Sequence, residues 1–198
     1  MSVAGLLLAA GAGRRMGTPK ALLRDERDVP YVDRALGRLL DGGCDLVTVV
    51  LGAAADEVRA ILDEDGWCVD PAVDVVVAED WAEGMGASLR AGLSALAAGR
   101  DDVTAALVSL VDLPDVDEAV VARVLAADDR SDSLARASYD GVPGHPVLLG
   151  RDHWAGVVET ATGDRGARDY LRDRDVLTVE CGDLATGRDV DTPGEFRP

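Results

Sequence analysis

The chain has 198 residues, 47% of them apolar, so it is the length of one domain and can fill a core, which excludes a disordered tail or linker. A net charge of -17, from 37 acidic against 20 basic residues, excludes nucleic acid and an anionic membrane surface as partners, because both would be repelled. No apolar run approaches the roughly 20 residues of a membrane span, and neither a basic leader nor a cleavage pattern marks a secretory signal.

In chain order, Val3 to Ala9 reads as a buried strand, apolar throughout instead of alternating. Gly11 to Pro19 is a loop, and Val32 to Leu40 has helical spacing that stops at Gly42-Gly43. Leu46 to Leu51 is a second buried strand, followed by a helix over Asp56 to Leu62. Val73 to Ala78 is a third strand and Ser88 to Ala98 a third helix, ended by Gly99. Ala105 to Val111 is a fourth strand closing on Asp112-Leu113-Pro114, and Asp117 is placed to cap a helix over Asp117 to Ala127. Then the pattern changes. Leu134 to Tyr139, a turn at Asp140-Gly141 and Pro146 to Leu149 read as a hairpin. His153 and Trp154 fall in a helix where His153 is structural or exposed, and a short helix over Ala167 to Arg172 and a strand over Val176 to Val179 follow. With no linker or repeat, the expectation is one α/β domain over residues 1–198, with a mixed but mostly parallel sheet. Ligands then bind beyond the carboxyl ends of the strands, where the first loop lies. Cys44, Cys68 and Cys181 are odd in number and far apart, which fits free thiols in the cytoplasm.

The first loop, within LLLAAGAGRRMGTPKALL from Leu6 to Leu23, carries the chemistry. Its glycines admit backbone N–H groups to an oxyanion, and Arg14, Arg15 and Lys20 supply charge for a polyphosphate. The Walker spacing fails, because Gly17 is followed by Thr-Pro-Lys. The dinucleotide fingerprint also fails: Gly11, Gly13 and Gly17 are one residue too widely spread, and the second strand ends on Leu51-Gly52 without an acid for a ribose. Lys20 is the only lysine among 19 arginines, and a compact ammonium kept here points to a site too narrow for a guanidinium. The plain alternative is a solvent-exposed lysine.

Among 28 aspartates most must be solvated surface, so each candidate needs its own reason. Asp112 stands at the end of an apolar strand, where a carboxylate is costly unless a cation or hydrogen bonds balance it. Asp191, in Asp189-Val190-Asp191-Thr192-Pro193, is either a second metal ligand or a helix cap, with Asp189 as the fallback ligand. Two carboxylates suffice for magnesium, which keeps several waters and takes phosphates as its other ligands. His145, between Gly144 and Pro146, is either a structural hydrogen-bonding group or a contact for an acceptor.

As a string, Leu8 to Lys20 resembles the LAxGxSxRMGxxK signature of the MobA-like nucleotidyltransferase family, with Gly13 where the family often has Ser. The likeness continues in order through Glu83 to Leu89, the LVDLP at Leu110 to Pro114, the PGHP at Pro143 to Pro146, the GDRGAR at Gly163 to Arg168 and the DVDTP ending. The AAG after Leu8 resembles the molybdenum cofactor cytidylyltransferase branch. This resemblance implies a three-layer α/β/α Rossmann-like fold. It also implies Mg2+-dependent transfer of CMP from CTP to a small phosphorylated acceptor such as molybdopterin, with release of pyrophosphate. In that scheme Arg15 and Lys20 hold the departing phosphates, and Asp112 and Asp191 bind the metal. Leu8, Ala9, Ala10, Gly11, Ala12, Gly13, Arg14 and Gly17, with Gly86 and Ser88, hold the nucleotide, and His145 meets the acceptor. A molybdenum hydroxylase or its chaperone would be the protein partner. Two other readings stay open. The opening loop also resembles that of relatives named as NAD(P)H-dependent reductases of a nicotine-derived pigment, and a non-catalytic molybdoenzyme accessory protein would keep the loop without a complete metal site.

Overall fold

A computed structural model of the chain describes residues 2–127 and 130–189. Strand β1 (Ser2–Leu8) leads through the glycine loop to helix α1 (Tyr31–Asp41), then β2 (Leu46–Leu51), α2 (Ala55–Glu64), β3 (Val73–Val77), α3 (Met85–Gly99) and β4 (Val103–Leu110). Helix α4 (Glu118–Ala127), the hairpin β5 (Leu134–Tyr139) and β6 (Val142–Gly150), α5 (Arg151–Thr160), α6 (Arg168–Leu171) and β7 (Leu177–Glu180) complete the order. The strands form one seven-stranded sheet in the order β3-β2-β1-β4-β6-β5-β7. β1 pairs in parallel with both β2 and β4, and β2 with β3, whereas β6 runs antiparallel to both β4 and β5. The mixed sheet expected from the late hairpin is therefore present, with β7 returning parallel to β5.

Two-residue alternation divides the apolar strand residues between two helical layers. Val3 and Leu7 of β1, Val47 and Val49 of β2 and Leu107 of β4 pack with Leu36, Leu39, Val58, Leu62, Val120 and Val124 of α1, α2 and α4. Ala4, Leu6 and Leu8, Val50, Ala106 and Val108 face the other way, against Leu89, Leu93, Leu96, Trp154, Val157 and Leu171 of α3, α5 and α6. Both faces are covered, which is why the strands read as unbroken apolar runs. α3 lies close on the sheet because Gly92 has no side chain: a Cβ there would sit 2.4 Å from Leu6 Cδ1.

Boundaries differ from the sequence reading mainly at two places. α3 begins at Met85, three residues before the expected Ser88, because Gly84 adopts φ 117° and turns the chain into the helix. β6 begins at Val142, four residues before the expected Pro146, and so includes the whole Pro143-Gly144-His145-Pro146 segment. Proline is tolerated at this end of β6, because its register with β4 begins only at Val147. Asp117 does cap α4, its Oδ1 accepting the N–H groups of Ala119 (3.0 Å) and Val120 (3.2 Å). His153 is structural, its ring nitrogens 2.9 Å from the Tyr170 hydroxyl and 3.0 Å from the Asp132 carbonyl. The three cysteines are free, and no helix among the described residues is long and apolar enough to cross a membrane.

Candidate active site

The strand order reverses direction between β1 and β4, so the loops leaving these neighbours diverge and open a crevice at their carboxyl ends. A cavity of about 380 Å3 occupies that crevice, within the size range of small-molecule sites. Its walls are Leu8, the loop residues from Ala10 to Arg14, Lys20, the Trp81–Met85 segment, Ser88, the end of β4 at Leu110 to Asp112, and Asp164. The glycine loop and the β4 terminus, distant in sequence, thus face one space.

The loop's shape is fixed at Gly13. It has φ 59°, and its carbonyl accepts the Gly17 N–H at 2.9 Å, closing a tight turn. A Cβ on Gly13 would lie 1.8 Å from the Thr18 carbonyl oxygen. With this loop conformation, a side chain at position 13 does not fit. Arg14 lines the cavity, whereas Arg15 and Gly17 are exposed and lie off its walls. Of the two arginines, Arg14 is the one among the cavity walls; both are exposed.

Two further loop expectations change. Ala9 is buried in the core under α1 and α2, and its N–H continues the ladder to the Val50 carbonyl at 2.9 Å, so neither its side chain nor its N–H faces a ligand. Gly86 packs against the α5–α6 connection, where a Cβ would lie 2.8 Å from the Thr162 nitrogen. It is glycine for close approach of two backbones, while Gly84, Met85 and Ser88 from the first turn of α3 form the cavity wall.

Lys20 and Asp112 meet across the cavity, Nζ to Oδ2 2.6 Å, with side chains 18% and 13% exposed. The sequence singled out both residues, but their direct pairing is a finding of the fold. Burial pushes the Asp112 carboxyl above its ordinary range, the Lys20 ammonium pulls it back, and the negative charge of Asp189 adds to the rise. Asp189 is thus close enough to act on Asp112 electrostatically, although it is exposed and not among the cavity walls. The segment carrying it is held by Asp115, whose Oδ2 accepts the Thr186 N–H at 2.6 Å and the Thr186 hydroxyl at 2.5 Å. Gly187, at φ 63°, lets this segment pass over Tyr139, where a Cβ would lie 2.1 Å from the ring. Asp191 lies outside the described residues. A partly buried carboxylate with a second acid beside it suits a hard divalent cation that keeps waters and takes phosphate oxygens. No cluster of three or more His, Cys, Asp or Glu occurs among the described residues.

His145 is not in this cavity. It lines a smaller one of about 70 Å3, which abuts the first along Leu8 and Met85 and is completed by Arg136, Arg165 and Arg168. Burial, with the charges of Arg136 and Arg168, lowers the His145 pKa to about 4, so the ring is neutral at physiological pH. The sequence reading missed Trp81 and Arg136, and it quoted Asp164 within Gly163 to Arg168 without giving it a place in the site. Trp81 and Asp164 follow no spacing rule, but Arg136 left a signal, being the one charged residue inside the apolar strand β5.

Comparison with known proteins supports the same fold and identifies the family. The nicotine blue oxidoreductase of Paenarthrobacter nicotinovorans is 38% identical over 200 residues, covering 96% of this chain and 92% of that protein. The crystal structure of Rv0371c from Mycobacterium tuberculosis H37Rv superposes with a TM-score of 0.79 at 30% identity, over 98% of this chain and 95% of that one. A structure of the same protein in complex with manganese gives a TM-score of 0.75 at 28% identity, over 98% and 96% of the two chains. The family described as the MobA-like NTP transferase domain matches residues 5–179, from β1 through β7, and so takes in the glycine loop, Lys20 and Asp112 together. With the signature loop, the strand-end aspartate and the reversal point all inside that match, the chain belongs to the MobA-like NTP transferase family.

Proposed function

We propose that the chain, acting as a single domain, transfers a nucleoside monophosphate, CMP from CTP in the first instance, to a small phosphorylated acceptor of the molybdopterin type. The observation that carries this reading is the placement of Lys20 and Asp112 against each other beneath the glycine loop. A cation and an anion held at one point match a substrate that brings both a polyphosphate and a divalent metal. Asp112 and Asp189 are the described residues suited to hold magnesium, with Asp191 a further candidate. The metal would supply charge neutralisation at the reacting phosphates.

The chain's own residues then divide the work. Gly11, Ala12 and Gly13 present backbone to the phosphates at close range, as only small residues allow. Lys20 and Arg14 balance the charge of the pyrophosphate that departs. Ala10, Ser88 and the half-buried Trp81 line the wall where a base fits, Trp81 offering a face for stacking. A terminal phosphate oxygen of the acceptor attacks the α-phosphorus, the new P–O bond forms, and the α–β bridge bond breaks with its electron pair leaving on pyrophosphate. A phosphate nucleophile is already ionised, so positioning and electrostatics account for the rate without a general base. Free thiols and the absence of a membrane helix among the described residues fit a cytoplasmic setting.

The test is a panel of the four nucleoside triphosphates with magnesium and molybdopterin. Pyrophosphate release with CTP supports the reading, and no release with any of the four refutes it.

The 38% identity to a protein named nicotine blue oxidoreductase favours a second reading, reduction of a quinoid pigment by NAD(P)H. The glycine spacing and the acid-free end of β2 at Leu51-Gly52 argue against a dinucleotide seat. Oxidation of NAD(P)H by such a dye at a catalytic rate would establish this alternative.

A further inference from the structure

The smaller cavity is anomalous in charge. In a chain with 37 acids, its walls carry Arg136, Arg165, Arg168 and His145 and no carboxylate. Arg165 is engaged elsewhere, paired with Asp169 at 2.9 Å. Arg136 is not: its Nε is buried with no hydrogen-bond partner, and its other contact is a long 3.4 Å bond from a terminal nitrogen to the Gly144 carbonyl. Arg168 makes no ion pair among the described residues. Burial and the charge of Arg168 both lower the Arg136 pKa, so the two guanidiniums repel each other where neither is neutralised. A half-buried guanidinium whose Nε is buried without a partner, beside a second cation, is costly in the free protein, and an oxyanion would relieve both costs at once. The remaining walls, including Leu89, Val147 and Leu171, are apolar.

We infer that Arg136, Arg168 and His145 form an oxyanion subsite that holds an anionic group of the acceptor, a phosphate or a carboxylate, beside the nucleotide cavity. Neutral His145 can donate or accept one hydrogen bond, whereas Arg136 can give two in parallel. About 70 Å3 admits such a group but not a nucleotide. The substrate class that follows is an acceptor with an apolar or planar body and an oxyanion seated here, next to the nucleotide. As an acceptor site this rests on the transferase reading above; as an anion site it stands by itself.

The experiment titrates the full chain with inorganic phosphate and, separately, with acetate, following melting temperature and heat of binding. Wild type, Arg136→Gln, Arg168→Gln and Lys20→Ala are compared. The inference expects saturable binding by wild type and by Lys20→Ala, and weakening by about tenfold in each arginine variant. Preference for phosphate or for acetate names the group, and either supports the site. Arg136→Gln should melt no lower than wild type without anion, since it removes an unsatisfied donor; should it fail to fold, the exposed Arg168 still tests the site. Loss of binding in Lys20→Ala with retention in the arginine variants would place the anion on the glycine loop and overturn the inference, as would no binding by wild type. CTP titrated in parallel separates the two claims: phosphate binding that depends on Arg136, without any CTP binding, would leave the subsite standing and remove the transferase reading.

Discussion

Replacing Gly13 by Ala puts the proposed role of the loop under direct test. The added Cβ would fall 1.8 Å from the Thr18 carbonyl oxygen, well inside any permitted contact, at a residue with φ 59°. Left-handed backbone costs a residue bearing Cβ about 1–2 kcal/mol, and opening the turn sacrifices the Gly17 N–H to Gly13 carbonyl bond, worth about 1 kcal/mol. The loop therefore rearranges, and recovering the shape that meets the phosphates costs about 2–3 kcal/mol, which corresponds to a roughly 30- to 150-fold weaker Kd. Because the loop lies outside both hydrophobic cores, the melting temperature should shift by only about 2–4 °C. Calorimetric titration with CTP and magnesium, paired with thermal melts, reads both numbers. A Kd within about threefold of wild type would refute the loop as the phosphate cradle. So would a loss of affinity fully accounted for by unfolding.

Three further outcomes follow from the charges. Lys20→Ala should abolish pyrophosphate release and cost about 1–3 kcal/mol of stability, because Asp112 is left partly buried without its counter-ion. The Asp112 carboxyl titrates above its ordinary 3.8 in the fold, so the stability it gives is full below 3.8 and is lost as pH rises through the folded value. Without Lys20 that window moves upward, and melts across pH should show the variant's deficit growing with pH; a deficit independent of pH would contradict the pairing. His145 titrates near 4 in the fold against 6.5 unfolded, so its contribution is full above 6.5 and is lost as pH falls towards 4. His145→Gln should flatten stability over that interval. Glu180 is held down to about 2 by the hydroxyl of Ser138 (2.7 Å) and the N–H groups of Asp140, Gly141 and Gly182. Its contribution is present above 4.5 and is lost as pH falls towards 2, and Glu180→Gln should melt lower than wild type at neutral pH.

The sheet was legible in the sequence because strands buried on both faces must be apolar throughout, as in Leu6-Leu7-Leu8 and Val47 to Leu51. Asp117 was legible because capping is local chemistry. The start of α3 was not, since it depends on Gly84 taking a positive φ that composition does not reveal. In the site, Lys20 and Asp112 could each be singled out, one by its rarity and one by its place at a strand end. Their contact spans 92 residues and needed the fold. Arg14 and Arg15 are neighbours in the string, and that Arg14 is among the cavity walls is known only from the fold. The pair of Arg136 and Arg168 escaped notice for the same reason: it joins β5 to α6 across 32 positions, and its meaning lies in the carboxylate that is missing from their shared cavity.

The central claim is that attack falls on the α-phosphorus of a nucleoside triphosphate seated on the loop. CTP labelled at the α-phosphorus and CTP labelled at the γ-phosphorus, incubated separately with the protein, magnesium and molybdopterin, decide it. The account predicts that the α label moves to the acceptor and the γ label leaves as pyrophosphate, and that both events stop in Lys20→Ala. Retention of both labels in intact CTP, alongside steady oxidation of NAD(P)H by a quinoid dye, would contradict it.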